Sequence, residues 1–292
     1  MGEERPATYS RNVFIPLTNA CRNRCGYCAF RSEKPGLMGR SEVLNLLRKG
    51  ARHGCKEALF TMGERPEVHP EIRRELRAMG YATVIEYLYD LCLEAKDLGL
   101  LPHTNAGVVG GEELRALGEV NASLGLMLES VSERLCEPGM PHEGCPGKWP
   151  PARLEVLEEA GRLRIPFTTG ILVGIGESYG EIIASLEAIK ELHNRHGHIQ
   201  EVIIQNFKPK RGTSMASVPE PSPLLLLKVF NVAREMLPGI GIQTPPNLNP
   251  HWNLTLLYGA NDLGGISPVT VDHISPEAPW PGLEEMRQRA AD

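Results

Sequence analysis

Eight residues near the start of the chain, Cys21-Arg-Asn-Arg-Cys25-Gly-Tyr-Cys28, constrain it more than any other stretch. The three thiols stand four and then three positions apart, and Gly26 allows the bend between them. Thiolates this close in sequence can converge on one small object, and a metal is the usual one. A closed structural zinc site takes four ligands. Iron-sulfur clusters are likewise held by Cys thiolates, four of them when closed. No fourth Cys or His stands beside the three, so a zinc knuckle would have to borrow His53 or Cys55. Taken literally, the shortage favours a cluster in which three Cys hold three irons and the fourth iron stays open for a substrate or cosubstrate.

The 292 residues suffice for one large domain or two modest ones. An α/β barrel commonly has this length as a single domain. A net charge of −5 without a basic tract argues against a nucleic-acid binder. The first twenty residues are charged and proline-containing, so no signal peptide is expected. No apolar run reaches the length of a membrane span. Seven Cys in a chain of this kind suit a reducing cytoplasm better than a secreted disulfide scaffold. Cys55 and Cys92 read as small buried hydrophobes. Cys136 and Cys145 are too few for a second metal site.

Along the chain, short apolar runs alternate with amphipathic ones, the signature of βα units. Val13 to Thr18 reads as the first strand; Pro16 inside it marks an edge, which an open barrel provides. Helix Ser41 to His53 follows, then strand Glu57 to Met62 ending in Gly63-Glu64. Val84, Leu88, Leu91, Ala95 and Leu98 form the clearest helical stripe. Strand Leu101 to Ala106, a short helix Glu112 to Val120 and strand Ser123 to Leu128 come next. A loop rich in Pro and Gly (Glu137 to Pro151) precedes helix Ala152 to Arg164 and strand Ile165 to Val173. Ser178 and Glu181 form a capping-box pair opening another helix. Strand Gln200 to Phe207 is followed by Ser222-Pro223, a cap and first-turn proline. The expected architecture is one α/β domain over residues 1–292, with a barrel core at about 9–237 and a segment at about 238–292 covering its mouth or open side.

Cys-x3-Cys-x2-Cys with an aromatic before the last Cys resembles the radical S-adenosylmethionine (SAM) enzymes. The flank Tyr9-Ser-Arg-Asn-Val-Phe-Ile-Pro-Leu-Thr18 resembles the small subunit of deazariboflavin (FO) synthase, the CofG family of deazaflavin coenzyme biosynthesis. So do Gln205 to Met215 and Gln243 to Trp252. The resemblance implies an open, partial (β/α)6 TIM-like barrel of the radical SAM type with a C-terminal extension. It implies a 4Fe-4S cluster on Cys21, Cys25 and Cys28, SAM on the open iron, and an external one-electron donor. Tyr27 would contact the adenine, as would backbone at Val173 and Gly174. Gly63 and Glu64 would receive the amino group of SAM, Glu129 its ribose or amino group, and Arg153 its carboxylate.

The implied reaction begins with a 5′-deoxyadenosyl radical taking hydrogen from a small-molecule adduct, a 4-hydroxybenzyl group joined to ribityl-diaminouracil by a CofH-type partner. Cyclisation, ammonia loss and oxidation then give FO, which makes the chain a carbon–nitrogen lyase or synthase. His103, Asn105, Thr168, Thr169, Gln205, Asn206 and Asn247 are the candidate substrate contacts, and Lys208 a candidate proton shuttle. Two alternatives stay open on sequence: another radical SAM enzyme, such as the partner subunit or a menaquinone-pathway relative, and a non-enzymatic zinc or iron-sulfur protein.

Overall fold

A computed structural model describes residues 7–291. Eight parallel strands close into a barrel in chain order: β1 (Thr8–Thr18), β2 (Glu57–Met62), β3 (Leu101–Asn105), β4 (Ser123–Gly125), β5 (Phe167–Val173), β6 (Ile199–Asn206), β7 (Gly241–Gln243) and β8 (Asp262–Ile266). The helices are α1 (Arg40–Arg52), α2 (Pro70–Ala78), α3 (Val84–Asp97), α4 (Gly111–Val120), α5 (Pro150–Arg162), α6 (Tyr179–His196), α7 (Pro223–Met236), α8 (Trp252–Leu257) and α9 (Leu283–Ala291).

The expected open six-stranded barrel is therefore corrected to a closed eight-stranded one. The two additional strands come from the C-terminal segment. β7 is three residues long, and β8 reads Asp-Leu-Gly-Gly-Ile with Gly264 at φ +70°. Neither carries the β-branched alternation by which a strand is recognised, and glycine inside a strand normally weakens it. Pro16 survives closure because β1 divides its partners. Its first half, Thr8 to Arg11, pairs with β8, whereas Asn12 to Thr18 pairs with β2. On the side away from β2, the Phe14 N–H donates to Thr270 Oγ1 at 3.1 Å. Pro16, in the same phase of the strand, meets no ladder there and needs no N–H.

The local signals act as their chemistry predicts. Thr83 and Glu86 close a capping box on α3, and Ser178 and Glu181 close one on α6. Ser222 accepts the Leu225 N–H with Pro223 in the first turn of α7. The first helix starts at Arg40 behind Gly39, one residue before the expected Ser41. Val13, Ile15, Leu17, Ala58, Phe60, Val202 and Ile204 point outward into the layer between strands and helices, where the main core lies. The opposite phase faces the barrel interior, and it is unusually polar for that position. Among the described residues, no helix is long and apolar enough to cross a membrane.

Candidate active site

The barrel interior is one cavity of about 810 Å³, the size of a small-molecule site. Cys21, Cys25 and Cys28 line its upper end, in the loop after the C-terminal end of β1. This is where barrel enzymes place their chemistry. Backbone hydrogen bonds fix the loop from three sides: Arg22 N–H to Glu64 O (2.9 Å), Gly26 N–H to Pro141 O (2.7 Å) and Met215 N–H to Gly26 O (3.1 Å). Among the described residues, no three Cys, His, Asp or Glu are placed to share a single ion. Three thiolates lining one cavity suit a multi-iron cluster, in which each takes its own iron. Burial holds the Cys21 thiol above its ordinary range. A hydrogen bond shared with Cys145, together with burial, holds Cys25 well above it. Cys145 also accepts the Arg24 N–H at 3.2 Å, yet it does not line the cavity.

Gly63 and Glu64 adjoin this loop. Any Cβ at Gly63 would overlap the Ala20 carbonyl, so the glycine is demanded by close backbone approach. Glu64 N–H donates to Cys21 Sγ at 3.2 Å. Its carboxylate accepts Arg22 Nε (2.6 Å) and the Val108 N–H (2.8 Å). Burial pushes the Glu64 pKa up, but the Val108 N–H, Arg153 and Arg22 outweigh it, so the group is ionised. Arg153 lines the same cavity, 3 % exposed on the first turn of α5, and its Nε and Nη1 have no partner among the described residues. Guanidinium nitrogens that are buried, unpaired and lining a cavity are arranged to receive an anion.

Glu129 occupies the left-handed region at φ +67°, uncommon for a residue with a side chain. β4 is shorter than the expected Ser123–Leu128 because it bulges after Gly125 and rejoins β5 at an isolated Glu129–Ile171 bridge. Thr169 staples the bulge, donating its hydroxyl to Leu126 O (2.8 Å) and accepting the Leu128 N–H (3.2 Å). Beyond it, Glu129 N–H bonds Gly170 O and Glu129 O accepts the Leu172 N–H, both at 3.0 Å. The carboxylate, 8 % exposed, pairs with Lys148 Nζ. Tyr27 shares a 3.0 Å hydrogen bond with His142 Nε2, and burial lowers the His142 pKa to about 4. Thr169→Val leaves a fully buried carbonyl and N–H unpaired. It is expected to cost about 1–3 kcal/mol, read as a lower urea midpoint. An unchanged midpoint would remove the staple.

Residues 15–189 match the model of the radical SAM superfamily. The 7,8-didemethyl-8-hydroxy-5-deazariboflavin synthase of Methanocaldococcus jannaschii is 53 % identical over 283 residues, 96 % of this chain and 79 % of that protein. The synthase of the same name from Methanopyrus kandleri is 51 % identical over 98 % of this chain and 87 % of its own. The chain belongs to the deazariboflavin synthase family of the radical SAM superfamily. Methylornithine synthase (PylB) shares the fold, with a TM-score of 0.72 at 22 % identity, covering 92 % of this chain and 74 % of that one.

Within this deazariboflavin synthase barrel, the other expected contacts divide by strand phase. His103, Asn105, Thr168, Gln205 and Asn247 line the cavity. Thr169 and Asn206 point outward; Asn206 Nδ2 donates to Leu248 O at 3.0 Å. Val173 and Gly174 also lie off the cavity. Val173 O takes the Phe207 N–H, and the Gly174 N–H is held by Glu177 at 2.6 Å. Lys208 faces Glu220 at 3.1 Å and does not line the cavity, whereas Lys210 does. Sequence reasoning passed over Lys148, His142, Arg22 and Asn12. Lys148 carried one signal, a lone cation in a loop that returns to the cluster.

Proposed function

We propose that this chain carries out the ring-closing half of FO synthesis in the deazaflavin coenzyme pathway, acting as a carbon–nitrogen lyase or synthase. The substrate is the 4-hydroxybenzyl adduct of ribityl-diaminouracil delivered by a CofH-type partner. Family membership at about half identity supports the reaction. The observation that carries the site is the buried, unpaired Arg153 guanidinium lining the same cavity as the three cysteines.

The residues fit the implied groups. Cys21, Cys25 and Cys28 would hold a 4Fe-4S cluster through three irons. Arg153 would take the carboxylate of SAM in a forked, charge-assisted pair. The ionised Glu64 and the backbone beside Gly63 suit the ammonium, and Glu129 suits a ribose hydroxyl. Tyr27 and Leu172 line the cavity, with Ile175, Phe207 and Met215 packed behind them, and offer a dry wall to the adenine. When bound, cluster and SAM supply a one-electron route to hydrogen abstraction from an unactivated carbon, given an electron from an external donor. The barrel's part is to orient the adduct's benzylic end toward the cysteines and to exclude water. The same reading puts the protein in a reducing cytoplasm.

The test is anaerobic reconstitution with iron and sulfide, followed by SAM, reductant and the adduct. Brown protein, deoxyadenosine and a fluorescent deazaflavin are expected. Zinc alone, or deoxyadenosine with no deazaflavin, overturns the reading.

A further inference from the structure

The floor of the cavity, at the N-terminal ends of the strands and opposite the cysteines, is lined by Thr8, Glu57, Thr168, Glu201, Gln243 and Asp262. In barrels this end is ordinarily filled by branched apolar side chains. Here Glu201 and Asp262 face each other in hydrogen-bond contact, which two carboxyls make only when one keeps a proton. Asp262 also accepts the Thr8 hydroxyl and the Gly264 N–H (2.5 Å), and Glu201 accepts the Thr168 hydroxyl (3.2 Å). Neither forms an ion pair among the described residues.

A second, independent feature lies at the same level. Asn12, paired in register with Glu57, is 0 % exposed and lines the cavity, yet among the described residues neither its amide nitrogen nor its amide oxygen has a partner. Its amide crosses β8 at Gly265, and that of Gln243 crosses at Gly264, where any Cβ would overlap them. A buried carboxamide left unpaired is costly unless a ligand completes it.

We infer that this floor is a subsite for the polyhydroxylated chain of the substrate, with Glu201 and Asp262 as acceptors and Asn12 and Gln243 as paired donor–acceptors. The identity of that chain as ribityl rests on the function proposed above. Hydroxyl groups both donate and accept, and so match a carboxyl pair flanked by carboxamides. A carboxylate can take two neighbouring hydroxyls at once. A metal cation would leave the amide N–H groups without acceptors. Leu59, Met127, Leu172 and Ile203 line the same cavity and give the flat rings an apolar stretch. Anchoring the chain at the floor holds the other end of the adduct toward the cysteines.

Calorimetry on the reconstituted enzyme tests this with two probes, ribityl-diaminouracil and the same uracil bearing methylamino in place of ribitylamino. The ribityl compound is expected to bind at least about tenfold more tightly. Glu201→Gln and Asp262→Asn are expected to remove that advantage while binding the methylamino compound as before. Asn12→Leu is expected to lose affinity for the ribityl compound while its urea midpoint stays level or rises, because it deletes an orphaned polar group. A merely structural asparagine would lower the midpoint and leave affinity alone, which overturns the inference. So does equal binding of the two probes by the wild type, or tighter binding of an alkylammonium-substituted uracil. Ribityl-dependent binding without deazaflavin formation would instead reject the proposed reaction and keep the subsite.

Discussion

Arg153→Gln is expected to weaken SAM binding to the reconstituted protein about a hundredfold, with the fold intact. Arg153 is 3 % exposed, and its Nε and Nη1 have no partner among the described residues. Before ligand arrives, its positive charge is balanced only across space by Glu64 and Glu129. A charge-assisted hydrogen bond contributes about 1.5–3 kcal/mol, and 2.7 kcal/mol is a factor of about one hundred in affinity. Glutamine keeps a donor but loses the charge and the fork. Lysine keeps the charge and loses the fork, so Arg153→Lys should fall between them. Equilibrium dialysis with labelled SAM reads the loss, and iron content serves as the control for cluster assembly. A Kd within threefold of wild type, at full iron content, would mean that the SAM carboxylate is held elsewhere.

The sequence made β1, β2, β5 and β6 legible because each carries an apolar run between glycine, proline or cap signals, as at Glu57–Met62 ahead of Gly63, whereas β3 (Leu-Pro-His-Thr-Asn) and β4 stood out by their place in the βα alternation. β7 and β8 escaped because Gly241-Ile-Gln243 and Asp-Leu-Gly-Gly-Ile look like loop on any local scale. They are strands only because neighbours on both sides supply ladders. Among site residues, the three cysteines announced themselves by spacing. Inward and outward positions did not. Phe167–Val173 is buried on both faces, so no alternation separates Thr168, which lines the cavity, from Thr169, which braces the bulge behind Glu129. Gln205 and Asn206 pose the same problem. Glu201 and Asp262 went unrecognised as partners because a carboxylate near the start of a strand usually meets solvent. Only barrel closure turns those ends toward one another.

Lys148→Met should destabilise the protein by about 3 kcal/mol at neutral pH, more than a surface ion pair could account for. The pair is enclosed, with side-chain exposures of 12 % for Lys148 and 9 % for Glu129. Burial pushes the Glu129 pKa up. Lys148 and then Arg153 overcome that and hold it below the ordinary carboxylate value. A depressed pKa contributes stability above the unfolded value, about 4.3, and the contribution fades as pH falls through the folded value. Removing Lys148 takes away the largest opposing charge, so burial governs and the folded pKa rises. Ionisation then favours the unfolded chain as pH climbs past about 4.3, which reverses the sign of Glu129's contribution. The gap between wild type and variant should accordingly be widest near pH 7 and shrink toward pH 4, measured as urea midpoints on protein in the same metal state. Adding Glu129→Gln to Lys148→Met should recover most of the loss, because the charge left unpaired is then gone. A gap independent of pH, or no recovery in the double variant, would show that Lys148 does not act through its charge on Glu129.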